Sequence, residues 1–153
     1  MKLASLALPK PLAAVLRRLP ETPPAFLVAT GLNLAMAAGV IQREYFDVLR
    51  DRSLRLEAID AGAGFNLTLR ERGFAATSAK PDVTIRARLA DFALLALRRE
   101  DPDTLFFNRR LMIEGDTELG LAIKNALDAV DWDRMPAPLR KLLDLAAPKL
   151  AVR

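Results

Sequence analysis

The segment that decides the fold is DPDTLFFNRRLMIEGDTELGLAIKNALDAVDW, residues 101–132. Leu111 and Ile113 alternate with polar or flexible neighbours, which predicts a short strand. Gly115 then predicts a turn, and Asp116 is a typical N-cap for the helix that follows. The apolar residues of that helix recur at helical spacing. The segment therefore predicts a strand, a turn and a helix that covers one face of a sheet.

Two predicted helices can cover that face. The first spans residues 116–130, and its apolar stripe comprises Leu119, Ala122, Ile123, Ala126, Leu127 and Val130. The second spans Leu89 to Arg99 and is apolar almost all round between Phe92 and Leu97. A helix that is apolar on two sides needs two apolar neighbours. One of those neighbours can be a ligand.

Earlier strands are indicated by period-two alternation in residues 54–58, 65–69, 74–78 and 83–87. With residues 111–114, they predict an α+β fold with a five-stranded, mostly antiparallel sheet that helices cover on one face. Proline positions predict helices near 12–18, from Pro24 onward, near 41–51 and near 138–147. The two ends of the chain are therefore predicted to be helical extensions.

The composition removes most catalytic chemistry from consideration. The 153 residues include no His and no Cys, so thiolate attack, imidazole proton transfer and most zinc sites are excluded. An enzyme would depend on carboxylates, basic or hydroxyl side chains, or Tyr45. The acidic residues Glu100, Asp101 and Asp103 form one local run, which is more typical of a solvated loop than of a metal site. We therefore predict no catalytic residues, no metal and no cofactor.

The charge is unevenly distributed along the chain. Residues 1–40 hold 4 basic and 1 acidic residue, residues 41–133 hold 14 and 17, and residues 134–153 hold 5 and 1. Nucleic-acid binding is not expected, because such domains carry a basic patch with stacking aromatics or a reading helix. Basic, apolar ends instead favour an anionic membrane surface. The predicted membrane contacts are Arg17, Arg18, Arg140 and Lys141.

Residues 25–41 are uncharged, which raises the question of a membrane span. Seventeen residues lie at the lower limit for crossing a bilayer, and Asn33 and two glycines weaken the case further. A helix that packs on the domain or docks on lipid is the preferred interpretation. The first ten residues hold an apolar run too short for a signal peptide. The expected location is cytoplasmic, with peripheral contact at the inner face of the membrane.

The segment Leu111-Met112-Ile113-Glu114-Gly115-Asp116, which follows a helix containing Asp91-Phe92-Ala93-Leu94-Leu95, resembles the sterol-carrier-protein type-two (SCP2) lipid-binding family. The resemblance covers about residues 46–132 and is greatest to its ubiquinone-biosynthesis accessory factors. It implies an apolar tunnel that holds an isoprenoid quinone lipid or intermediate. It also implies a non-catalytic role in oxygen-independent ubiquinone synthesis, beside UbiU-like and UbiV-like partner proteins.

The resemblance implies three parts: an N-terminal helical extension (1–45), the lipid-binding domain (46–132) and a C-terminal amphipathic helix (133–153). The predicted lipid-binding residues are Phe92, Leu95, Phe106, Phe107, Leu111, Ile113, Leu119, Ile123 and Leu127. Phe106 or Phe107 is expected at the mouth of the cavity, with Arg109 near a polar head group or an anionic lipid surface. In the alternative interpretation one of the two Phe residues fills the core, and both Arg109 and Arg110 lie in water. The alternative is a scaffold that docks partner proteins through apolar surface and binds no lipid.

Overall fold

The computed structural model describes residues 22–138, 140 and 141. In chain order the elements are α1 (Thr22–Ala37), a 3₁₀ helix (Arg43–Leu49), β1 (Leu54–Ala58), β2 (Ala63–Arg70), β3 (Gly73–Ala76), β4 (Val83–Ala87), α2 (Leu89–Ala96), α3 (Pro102–Phe107), β5 (Leu111–Gly115), α4 (Thr117–Asp128) and a second 3₁₀ helix (Trp132–Arg134). The helix predicted near residues 12–18 lies outside the described residues, as does most of the one predicted near 138–147.

The five strands form one sheet in the order β3-β2-β1-β4-β5. Neighbouring strands are antiparallel except for β1 and β4, which run parallel with Leu54 beside Val83. The parallel pair arises because the chain leaves β3 at one edge and returns on the far side of β1. The predicted α+β fold with a mostly antiparallel sheet is confirmed.

The two faces of the sheet differ in polarity. In β4, Val83, Ile85 and Ala87 are buried, whereas Thr84 and Arg86 between them are partly exposed. On the polar face, Arg86 pairs with Glu57 of β1 at 3.2 Å and with Glu114 of β5 at 2.5 Å. These ion pairs cross three neighbouring strands. The apolar face is therefore the one on which the helices pack.

Helix α4 lies close against this apolar face. Asp116 caps it by accepting a hydrogen bond from the backbone N–H of Leu119 at 3.0 Å, as predicted. Gly115 makes the turn before it at φ 90°, a left-handed conformation that favours glycine. At Gly120, a Cβ would lie 2.2 Å from Cγ2 of Ile113. The absence of a side chain there allows the helix to approach the strand.

Helix α1 packs on the sheet with one side only. Ala25 and Ala29 are buried, whereas Phe26, Leu27 and Leu34 are 67%, 70% and 66% exposed. Asn33 fixes the helix to the edge strand β3, because its amide both donates to and accepts from the main chain of Phe74, at 2.9 and 2.7 Å. The division of the chain at residues 45 and 132 stays a prediction.

Helix α2 ends at Ala96, before the predicted end at Arg99. Arg98 adopts φ 51°, a left-handed conformation that terminates an α-helix, and its N–H donates to the carbonyl of Leu95 at 3.0 Å. The chain then enters α3, where the carboxylate of Asp101 accepts from the N–H of Thr104 at 2.8 Å. The acidic run at residues 100–103 thus leads into a short capped helix.

Candidate functional site

A cavity of about 160 Å³ lies between β1, α2, the loop that follows α2 and the C-terminal end of α4. Its apolar lining consists of Leu56, Phe92, Leu95, Pro102 and Leu127. Its charged lining consists of Arg98, Glu100, Asp101 and Asp128. Arg98, Asp101 and Asp128 are exposed, so they lie at the opening. The site is an apolar pocket with a charged rim.

The cavity exists because α2 does not close over the sheet. Phe92, Ala93, Leu94 and Leu95 are all half-buried, as is Leu56 on the strand below them. Because these apolar side chains are only half-buried, the space between them is left unfilled. A cavity with such a lining offers few partners to water and instead favours an apolar ligand.

Arg98 is one of the charged residues that line the cavity. From the C-terminal end of α2 its guanidinium donates a hydrogen bond to the carbonyl of Val130 at 3.1 Å. Val130 follows the C-terminal end of α4, so the bond joins the two helix ends.

A buried ion network holds α2 and the loop behind the cavity. Asp91 is 4% exposed, and Nε of Arg110 donates to it at 3.1 Å. Another nitrogen of Arg110 lies 2.7 Å from a carboxylate oxygen of Glu100, which lines the cavity. The hydrogen bonds to Asp91, and secondarily those to Glu100, raise the pKa of the Arg110 guanidinium. Arg110 therefore fixes α2 and the rim to the start of β5.

A second charged contact fixes α3 to α4. Lys124 is buried, pairs with Asp103, and has its ammonium 5.9 Å from the ring centre of Phe106. The ammonium thus meets both a carboxylate and an aromatic face. This arrangement orients Phe106 toward the core and leaves Phe107 outside.

The structure distributes the predicted lipid-binding residues over three environments. Phe92, Leu95 and Leu127 line the cavity. Leu111, Leu119 and Ile123 are buried in the core, and Phe106 and Ile113 are half-buried against it. Phe107 is 78% exposed. The lipid contacts of all nine residues stay predictions.

The predicted polar contacts are also spread out. Arg109 is exposed and lies outside the lining of the cavity. Arg140 and Lys141 are exposed, whereas Arg17 and Arg18 lie outside the described residues. Sequence reasoning missed the charged lining residues Arg98 and Asp128, because a helix end does not indicate which cavity it borders. Leu56 was identifiable only as a member of the apolar sheet face.

The sequence also raised the possibilities of a metal site and of a membrane-spanning helix. Between residues 22 and 141, as far as the chain is described, no group of Asp and Glu side chains is arranged to hold a metal ion. In the same part of the chain, no helix has both the length and the hydropathy needed to cross a membrane.

With the fold and cavity established, comparison with known proteins identifies the family. Residues 33–128 match the sequence profile of the SCP-2 sterol transfer family. The chain belongs to this family. The match begins within α1 and ends at the last residue of α4, so it contains every strand and every lining residue of the cavity.

Individual relatives support the SCP-2 assignment. Over 66 residues the chain is 53% identical to the ubiquinone biosynthesis accessory factor UbiT of Escherichia coli (strain K12), and equally to that of Escherichia coli O157:H7. This match covers 43% of the chain and only 38% of each relative. A solved structure named UbiJ-SCP2 ubiquinone synthesis protein has a TM-score of 0.53 at 19% identity, covering 72% of this chain and 98% of the other. That likeness supports the SCP-2 fold.

Proposed function

We propose that this protein is a non-catalytic, lipid-binding accessory factor of ubiquinone biosynthesis. It holds the isoprenoid tail of a quinone intermediate in the cavity and presents the intermediate to partner enzymes. The observation that carries the proposal is the apolar lining formed by Leu56, Phe92, Leu95, Pro102 and Leu127. The family match and the identity to UbiT support the pathway.

The size of the cavity adds a requirement to the proposal. Pockets for drug-sized ligands commonly have volumes of roughly 300–1,000 Å³, whereas this cavity has about 160 Å³. A polyprenyl tail therefore enters only if α2 moves away from the sheet. Phe92 and Leu95 are only half-buried, so this movement exposes less apolar surface than the movement of a fully buried helix would. The contact of Asp91 with Arg110 opposes it.

The pathway proposal includes its oxygen-independent branch and partners that resemble UbiU and UbiV. This part depends on the resemblance to UbiT, of which the chain matches less than half. Co-purification of the full chain with UbiU-like and UbiV-like proteins from anaerobic cells tests it. Absence of both proteins, in cells that make them, would contradict this branch of the proposal.

The test of lipid binding is extraction of lipid from the purified protein, followed by mass spectrometry. We expect a polyprenylated ring compound in the wild type and its loss in Leu95→Trp, because the added bulk enters an unfilled space. Leu121→Trp is the matched control, since Leu121 is exposed on α4 and lies outside the cavity lining. Equal lipid content in all three proteins would contradict the proposal.

A second proposal is peripheral contact with an anionic membrane. The exposed apolar side of α1 (Phe26, Leu27 and Leu34) supports it, as do the exposed Arg140 and Lys141. The same surface also supports the alternative of a scaffold that docks a protein partner.

Sedimentation with anionic and neutral vesicles distinguishes the two. We expect salt-sensitive binding to anionic vesicles, and a reduction when Arg140 and Lys141 are both changed to Glu. Phe26→Ser together with Leu27→Ser should also reduce binding. Equal, negligible binding to both kinds of vesicle would reject membrane contact and favour the scaffold.

A further inference from the structure

The four charged side chains at the cavity differ in whether their hydrogen-bonding capacity is used. Glu100 is held by Arg110, and Asp101 accepts from the backbone N–H and the hydroxyl of Thr104. These two carboxylates have structural partners. Arg98 and Asp128 are different, and they lie at the ends of the two helices that border the opening.

Arg98 retains most of its donor capacity. A guanidinium carries five N–H donors in a planar fork, and within the described part of the chain Arg98 donates one hydrogen bond, to the Val130 carbonyl. A neutral main-chain carbonyl is a weaker partner than a carboxylate. The backbone at φ 51° is moreover one that a residue with a Cβ seldom adopts, which makes Arg an unfavourable choice on local grounds.

An aspartate at position 128 is also unfavourable for the stability of its helix. It is the last residue of α4, and the final turn of that helix contains no basic side chain. A carboxylate at a helix C-terminus meets the negative end of the helix dipole. Among the described residues, no hydrogen bond or ion pair engages it. A free acceptor and a free set of donors thus border the same apolar cavity.

We propose that Arg98 and Asp128 together bind the ring hydroxyl of a prenylated phenol whose tail occupies the cavity. This inference rests on the proposed function. A hydroxyl donates one hydrogen bond and accepts others, so it can donate to Asp128 while it accepts from Arg98. A quinone carbonyl only accepts, and it would place an oxygen against the Asp128 carboxylate without a proton between them. The site therefore selects hydroxylated intermediates over the oxidised quinone.

This selectivity gives the protein a place in a reaction sequence. The ligand must come from a reaction that attaches a prenyl chain to a phenolic ring. It must be consumed by reactions that modify the ring while its hydroxyl remains. A ligand in the quinone form lacks this donor, so the site is expected to bind it more weakly.

The test compares the binding of farnesylated phenol and its methyl ether to the full chain, measured by calorimetry. The two ligands share the tail and the ring, and only the phenol can donate to Asp128. We expect the wild type to prefer the phenol by about tenfold, which is about 1.4 kcal/mol. Farnesylated benzoquinone should bind no better than the ether.

Two variants test the two hydrogen bonds separately. Asp128→Ala deletes the carboxylate from an exposed helix end, and it should bind phenol and ether with nearly equal affinity. Arg98→Gly deletes the guanidinium and suits the left-handed backbone, so the fold is spared. It removes the hydrogen bond that both ligands accept, so it should weaken the binding of both and retain the preference for the phenol. Arg88→Gln, which removes one positive charge from the opposite end of α2, should retain the tenfold preference.

The outcomes separate this inference from the proposed function. If the wild type binds both ligands equally and Leu95→Trp abolishes both, the cavity holds the tail and the hydroxyl-binding role is rejected. If the preference persists in Asp128→Ala, or if Arg98→Gly binds both ligands as tightly as the wild type, the role is likewise rejected. If the wild type binds neither ligand, the proposed function and this inference fail together.

Discussion

Over β4 and β5 the helix α4 lies in close contact with the sheet, whereas over β1 the helix α2 leaves a cavity. In the first region Leu119, Ile123 and Ala126 are buried, and Gly120 brings the helix backbone close to Ile113. In the second region Phe92 and Leu95 are half-buried. One sheet face thus borders both a packed core and a cavity, and the two regions differ in how closely the covering helix approaches the strands.

Truncation of one side chain in each region should show the largest difference. Ile123→Ala should lower the free energy of unfolding by roughly 2–5 kcal/mol, since it leaves a void in a packed core. Leu95→Ala should lower it by about 1 kcal/mol, because its surroundings are already unfilled. Urea unfolding measures both values. Equal losses would show that the two regions are packed alike.

The link between the two regions can be broken at Arg110. Arg110→Met leaves Asp91 buried without its partner. We expect the free energy of unfolding to fall by roughly 2–3 kcal/mol. This is less than the full cost of breaking a buried pair, because Arg110 is partly exposed. Asp91→Asn combined with Arg110→Met should recover part of this loss. A double-mutant cycle by urea unfolding measures the coupling. A double variant no more stable than Arg110→Met would contradict a stabilising pair.

The packed region also depends on a charged helix cap. The Leu119 N–H, and secondarily the Arg52 side chain, hold the pKa of Asp116 below its usual value of 3.8. A carboxyl with a lowered pKa in the folded state adds stability that is present above 3.8 and lost as the pH falls through the folded pKa. The free energy of unfolding of the wild type should therefore exceed that of Asp116→Asn by the largest amount at neutral pH. In acid the two values should converge. Urea unfolding on either side of pH 3.8 measures this difference, and a pH-independent gap would contradict the assignment.

Much of the packed region could be predicted from the sequence, because its determinants are local. The cap at Asp116 and the stripe through Leu119, Ile123 and Ala126 lie within one helix. The strands were likewise indicated by alternation. The parallel pairing of β1 with β4 could not be predicted, since it depends on where the chain returns after β3.

The cavity was less predictable, because periodicity indicates which side of a helix is apolar and not what faces it. Phe92, Leu95, Leu127 and Ile123 were all predicted to contact lipid, yet only the first three border the cavity. The pairing of Arg110 with Asp91 joins residues 19 positions apart and has no local pattern. Arg98 and Asp128 border the same cavity only because the ends of two helices lie side by side.

The smallest effect is expected on the exposed side of α1. Leu34→Gln should change the free energy of unfolding by about 0.5 kcal/mol or less, because the side chain lies largely in solvent. Ala29→Gln lies on the opposite side of the same helix and should lower the free energy of unfolding by roughly 1–3 kcal/mol. The larger side chain does not fit between the helix and the sheet. Thermal unfolding measured by circular dichroism compares them. A large loss for Leu34→Gln would show that this side is covered by another part of the protein.

The side chain of Asn33 has a consequence for self-association. Its amide makes with Phe74 the same donor and acceptor pair that a neighbouring strand would make. The outer edge of β3 is therefore occupied at its centre, and strand addition from another molecule is blocked there. Asn33→Leu would keep the helix and expose that edge. The variant protein should then form β-rich aggregates on storage at concentrations where the wild type stays dispersed.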